Sequence, residues 1–91
     1  MSMKIDIDLK EITDRNSLHE LLQSALHLPS YYGKNLDALY DALTEPHEEL
    51  DIHFAGTEHA AGSLGDSYTQ ALRLTFADAE AEGAAVHAEW H

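Results

Sequence analysis

The sequence contains no cysteine, which excludes a disulfide framework and any thiolate metal site. It also has no apolar run near the ~18 residues that a membrane-spanning helix requires. Its opening, MSMKIDIDLK, alternates charge with apolar side chains and lacks the apolar stretch of a secretory leader, so the expected location is cytoplasmic. Positive charge is scarce too: 17 Asp and Glu face five Lys and Arg, for a formal net charge of −12. From Lys34 to Arg73 the chain carries Asp37, Asp41, Glu45, Glu48, Glu49, Asp51, Glu58 and Asp66 and no Lys or Arg between them. Such a surface repels phosphate backbones and anionic lipid heads, which disfavours nucleic acid and membranes as direct partners. It attracts and steers a basic partner instead.

What is present suits one small globular domain over residues 1–91, a length that buries roughly 60–65% of its unfolded surface. The apolar fraction of 44% argues against disorder. Ile5, Ile7 and Leu9 alternate with polar residues and predict a strand. Asn16 is the expected cap of a first helix carrying Leu18, Leu21, Leu22, Ala25 and Leu26, which Pro29 ends by biasing Leu28 away from helical angles. Gly33 permits a tight turn, and Asn35 caps a second helix of about nine residues with Leu36, Leu39, Tyr40 and Leu43 inward. LDIHF, residues 50–54, predicts a second strand. The small, glycine-bearing AGTEHAAGSLG predicts a loop with one helical turn. Asp66 is the expected cap of the longest helix, with Tyr68, Ala71, Leu72, Thr75, Phe76 and Ala79 inward and Gly83 just past its end. AAVHAEW predicts a third strand. Helical crossovers between strands favour a three-stranded parallel sheet with three to four helices, an α/β fold.

Asp37 and Asp41 stand four apart on the second helix, a like-charge spacing that costs roughly 0.2–0.5 kcal/mol. Asp37 sits in the first turn, where the helix dipole favours an anion, and Lys34 is close enough in sequence to help it. Asp41 lies in the second half, where the dipole opposes it. With Leu36 at zero on a helical wheel, Tyr40 falls near about 40°, Asp37 near about 100° and Asp41 near about 140°. Tyr40 therefore borders both the core stripe and an acidic stripe. A solvated acidic face is one reading of that stripe. Carboxylates clustered with Tyr31 and a glycine-bearing loop are also the parts of a surface that grips Arg or Lys.

Catalytic signals stop short of their patterns. Two Asp on one helix of so small a domain offer no cleft of the kind that paired glycosidase carboxylates flank. HEELD, residues 47–51, begins like a zinc motif but has Asp51 where the second His belongs. His87 and His91 would lie about 13 Å apart on a strand, and His27, His53 and His59 are isolated in sequence, so no metal site is expected. AGSLG, residues 61–65, has Ala61 in place of the first glycine of a nucleophile elbow. Nothing in the sequence calls for a cofactor, and an enzyme is not expected.

LPSYYGKNLDALYDAL, residues 28–43, resembles the signature of barstar, the intracellular inhibitor of the secreted bacterial ribonuclease barnase. FADAEAEG, residues 76–83, is similar to the end of the family's last long helix, and the element order agrees along nearly the whole chain. In that family the second helix and the loop before it plug a cationic active site. By position, the resemblance implies that Tyr31 packs against the nuclease's catalytic region and Asp41 enters its phosphate pocket as a substrate mimic. It further implies that Asp37 pairs with a neighbouring base, Gly33 and Asn35 shape the loop, Tyr40 and Thr44 lie on the contact helix, and Asp78 stands where the family has a contacting glutamate. Tyr40 replaces a tryptophan, and Ala42 and Ala84 occupy family cysteine positions. TEPHEELDI, residues 44–52, is one residue shorter than the family's segment and lacks its tryptophan and the proline just before the second strand. The expected function is inhibition of a barnase-like ribonuclease. The alternative is the same fold serving another basic partner, such as a different toxin or a nucleic-acid-binding protein.

Overall fold

A computed structural model describes residues 2–91. Strand β1, Ser2–Asp8, buries Ile7 and half-buries Ile5 while Lys4, Asp6 and Asp8 stay exposed. Leu9 leaves the strand that the alternation assigned it to and starts a 3-10 turn, Leu9–Glu11, capped by Asp8 accepting from the Lys10 N–H at 2.9 Å. Helix α1, Arg15–Ala25, is capped by Asp14 and not by the expected Asn16. Asp14 and Ser17 form a reciprocal capping box, with the Ser17 N–H donating to Asp14 Oδ1 at 2.8 Å and the Asp14 N–H to Ser17 Oγ at 3.1 Å. Asn16, one turn in, donates to Glu20 at 2.6 Å instead. The helix closes one step before Pro29 acts: His27 takes a left-handed φ of 54°, and the Leu28 N–H reaches back to the Gln23 carbonyl at 2.9 Å.

Helix α2 is Leu36–Thr44 and strand β2 is Glu49–Ala55. The segment expected to be a loop is helix α3, Thr57–Leu64, which buries Ala60 and Leu64. Small side chains there mark close packing rather than irregular backbone. Gly56 precedes it at φ 77°, where an added Cβ would lie 2.7 Å from Lys10 Cγ and 3.1 Å from the Lys10 nitrogen. Helix α4, Asp66–Ala81, follows after Gly65 alone, so Asp66 is a first-turn residue and makes no side-chain cap. The helix ends as expected at Gly83, with the Gly83 and Ala84 N–H groups bonded to the Glu80 and Ala79 carbonyls, both at 3.0 Å. Strand β3 is Val86–Trp90.

The strands form a parallel sheet in the order β1-β2-β3, and four α-helices accompany it among the described residues, which is the α/β architecture expected. Ile5 pairs with Ile52 and Ile52 with Ala88; Ile7 pairs with Phe54 and Phe54 with Trp90. With a side-chain period of two, these rows share one face, which the helices cover. Phe54 stacks on Trp90 with centroids 4.0 Å apart, and Phe76 of α4 meets both edge-on at 5.3 and 5.7 Å. Fully burying one such phenylalanine is worth about 1.5–3 kcal/mol. The other face carries Lys4, Asp6, Asp51, His53, His87 and Glu89, of which only Asp51 and His53 are half-buried and the rest exposed. Unlike most parallel sheets, this one is covered on a single side.

Candidate functional site

The chain between α1 and α2 is held from beneath. Pro29's carbonyl accepts from Gln23 Nε2 at 2.9 Å and from the Tyr32 N–H at 3.0 Å. Tyr32 is buried, and its hydroxyl lies 2.7 Å from His19 Nδ1, while Tyr68 places its hydroxyl 2.7 Å from His19 Nε2. Burial lowers the His19 pKa, so the ring is neutral, accepting at one nitrogen and donating at the other. Burial, and secondarily Tyr68, pushes the Tyr32 phenol up, which keeps it a protonated hydroxyl. Next to the anchored Tyr32, Tyr31 is 84% exposed. His19 and Tyr32 were not singled out in the sequence. A signal was available for the first: on the α1 wheel, with Leu18 at zero, His19 falls at about 100°, next to Leu26 at about 80° on the border of the apolar stripe.

Asn35 caps α2 as expected, its Oδ1 accepting from the Ala38 N–H at 2.7 Å, while its Nδ2 donates to the Gly33 carbonyl at 3.2 Å. Gly33 is not a left-handed turn residue; that conformation falls on Lys34, at φ 53°. Glycine serves at 33 by lacking a side chain, because a Cβ would meet Ala38 Cβ at 3.2 Å and Asn35 Nδ2 at 3.3 Å. The loop thus lies tight on the first turn of α2. Between them is a concavity of about 210 Å³ bounded by Pro29, Tyr31, Tyr32, Gly33, Asp41 and Glu45. Asp37 is not part of it. The acidic helix alone would offer no pocket, and the loop supplies one.

Asp37, Asp41 and Asp78 are exposed, and among the described residues no Lys or Arg comes within ion-pairing distance of any of them. Lys34, although three residues from Asp37, does not pair with it. Tyr40 is half-buried and packs on the core. Thr44 turns its hydroxyl inward, donating to the Tyr40 and Asp41 carbonyls at 3.0 and 3.2 Å. Asp78 lies on α4, which packs against α2, but makes no side-chain hydrogen bond to the α2 residues. The structure therefore gathers Tyr31, Gly33 and Asp41 around the concavity, sets Asn35 as the cap of α2 with Asp37, Tyr40 and Thr44 along that helix, and leaves Asp78 on the neighbouring one.

The barstar (barnase inhibitor) family model matches residues 2–89. The chain belongs to the barstar family. A Bacillus subtilis (strain 168) protein named "Putative ribonuclease inhibitor YrdF" is 49% identical over 41 residues. That match covers 45% of this chain and 45% of the Bacillus protein, so less than half the length of this relative is spanned. The name of the family and the name of the Bacillus protein both describe ribonuclease inhibitors. No helix among the described residues is long and apolar enough to cross a membrane.

Away from the barstar helix, two expectations about chemical groups need correction. His53, isolated in sequence, stacks on His91 with centroids 6.3 Å apart and reaches Asp51 and Glu89 across the open sheet face. Sequence spacing could not show this, because Glu89 lies on the adjacent strand and His91 past that strand's end. The histidines, expected to be solvated because the sequence gives them no dense ligand pattern, are not all so: His19 is fully buried, and His47 bonds the Leu43 and Glu48 carbonyls at 2.8 and 2.6 Å. Ser63 of the AGSLG segment sits within α3, not at a strand-to-helix elbow, beside His59 Nε2 at 3.3 Å.

Proposed function

We propose that this chain binds a basic, barnase-like ribonuclease in the cytoplasm and occludes its active site, with Asp41 as the central anion. The observation that carries the reading is an exposed carboxylate with no cation of its own, set on the wall of a concavity that also presents Tyr31. A ribonuclease must hold phosphates with Lys, Arg and His; a carboxylate delivered by a rigid helix occupies the same position as a phosphate oxygen, and the enzyme cannot discard those cations without losing activity. Charge-assisted bonds to Arg or Lys are strong where water is excluded and both partners are satisfied. Tyr31 contributes apolar area beside the charge. Asp37 adds a second anion one turn away, Gly33 and Asn35 hold the loop against the helix, Tyr40 and Thr44 fill the helix face, and Asp78 lies at the rim. The whole of residues 1–91 acts as one domain in this reading.

The test is a titration of a barnase-like ribonuclease with this protein at low and at moderate salt. Stoichiometric inhibition that weakens with salt and is lost in Asp41→Ala is expected. No inhibition at either salt would refute the ribonuclease assignment. The shortened TEPHEELDI segment favours a second reading, the same fold against another basic protein. Recovery of such a protein on the wild-type chain but not on Asp41→Ala, without ribonuclease inhibition, would select it.

A further inference from the structure

The open face of the sheet carries a group of side chains that the proposed recognition surface does not use. His53 lies on β2, Glu89 is its register partner on β3, and His91 follows β3 directly. One ligand atom from each lies within 4.8 Å of the others. His53 Nε2 is 3.5 Å from Glu89 Oε2 and 3.3 Å from Asp51 Oδ1. In a tetrahedral zinc site with bonds of about 2.0–2.1 Å, neighbouring ligand atoms stand about 3.3–3.5 Å apart. The His53–Glu89 separation therefore already matches the edge of a coordination tetrahedron.

A second, independent observation points to a ligand at the same atoms. His53 Nε2 and Asp51 Oδ1 are both shielded from solvent, and neither has a hydrogen-bond partner despite their proximity. Buried polar atoms are normally satisfied, and leaving them unsatisfied is costly. A cation bound to the nitrogen and facing the carboxylate satisfies both. His91 is positioned for the task by its backbone: its N–H donates to the Phe54 carbonyl at 2.9 Å and its carbonyl accepts from the Thr57 N–H at 2.9 Å. His91 is thus fixed by backbone bonds to the end of β2 and the start of α3, and its ring stacks on His53 with the planes 9° apart.

We propose that His53, Glu89 and His91 bind a divalent transition-metal ion, with Asp51 as an outer carboxylate beside His53. Two imidazoles and one carboxylate select zinc or its first-row neighbours over calcium and magnesium, which take oxygen ligands. Glu89 and His91 are exposed, so they rotate freely to close the site, and water completes the coordination. The acidic surroundings, with Asp6 paired in register to His53, favour any cation there. The site lies on the sheet face opposite the helices and does not depend on the inhibitor reading.

Calorimetric titration of the full chain with zinc chloride at neutral pH, read together with histidine ring NMR, tests this. One zinc per chain is expected, with the ring signals of His53 and His91 moving and those of His27 and His59 unmoved. Glu89→Gln and His91→Ala should each weaken binding at least about tenfold, since loss of an outer partner alone costs 10–100-fold. Both positions are exposed, and a urea melt confirms that each variant is folded. His87→Ala should bind as the wild type does. Absence of saturable binding, shifts spread over all the histidines, or an equal loss in His87→Ala would each overturn the assignment.

Discussion

Two acidic regions of this barstar-family protein treat their carboxylates in opposite ways. On the open sheet face the acids stand beside imidazoles: Asp51 and Glu89 flank His53, and Glu89 flanks His87, which Glu80 at the end of α4 also reaches, at 3.3 to 3.9 Å. On α2, Asp37 and Asp41 form no ion pair among the described residues and repel each other, and Asp41 also faces the negative end of its helix. Carboxylates that already stand beside an imidazole of the chain have less affinity for another protein's Lys or Arg. Those without partners retain it, and the local stability they forgo is recovered when another protein supplies the cations. The difference separates a face whose charges are internally engaged from one whose charges are on offer.

The largest effect expected from that contrast is on affinity. Asp41→Ala should weaken binding of a basic ribonuclease by at least about 2 kcal/mol, roughly thirtyfold in Kd, the threshold of an interface hot spot, for which a barstar aspartate is itself the reference case. Glu89→Gln, on the engaged face, should leave inhibition within about threefold of the wild type. Equal losses in the two variants, measured by inhibition titration, would erase the distinction. Urea melts of the same pair should show Asp41→Ala no less stable than the wild type, because it removes a repulsion and an unfavourable dipole contact.

A second way to sharpen the comparison is through the support beneath the offered face. Tyr32→Phe takes a hydroxyl from His19 Nδ1 and should cost about 1–2 kcal/mol of stability in a urea melt. It should also weaken ribonuclease binding modestly by loosening the segment that carries Tyr31. An unchanged urea midpoint would count against the anchoring role. Acid tests the same anchor. His19 is held below the ordinary histidine value by burial, so between that lowered value and about 6.5 the unfolded chain binds more protons than the folded one. Its contribution to stability is complete above about pH 6.5 and is lost as pH falls through the folded value. Denaturant midpoints at stepped pH should fall across this window, and less steeply in His19→Gln; identical slopes would remove His19 from the account.

The smallest effect lies at the end of α1. His27→Gly relieves a left-handed residue, offset in part by the added freedom of glycine when unfolded, for a net gain of about 0.5 kcal/mol. A lower thermal midpoint in the glycine variant would contradict that balance.

Much of the fold was legible in the chain because it depends on short-range periodicity and caps. Alternation at Ile5, Ile7, Leu50, Ile52 and Phe54 identifies half-buried strands, Asn35 marks the start of α2, and Gly83 marks the end of α4, and all three features stand in the structure. Where two neighbouring residues competed for a cap, or where small residues could be either loop or close packing, the sequence was ambiguous. Asp14 displaced Asn16 because Ser17 could return its hydrogen bond, and α3 forms because Ala60 and Leu64 find a core to enter. The acidic pair and Tyr31 were visible as candidate contacts, but the concavity between them was not, since it is created by a loop lying against a helix.

What the sequence determined by itself was therefore local and compositional: the charge, the strand and helix periods, the α2 cap, and the uncompensated position of Asp41 within its helix. Only the tertiary structure decided which distant groups meet. It joined His19 to Tyr32 and Tyr68, brought His53 to Glu89 and His91, and left the α2 carboxylates without an ion pair among the described residues. The reason is physical: helix and strand geometry act over a few residues and can be read from spacing, whereas hydrogen bonds and ion encounters between elements depend on register and packing that no single segment encodes.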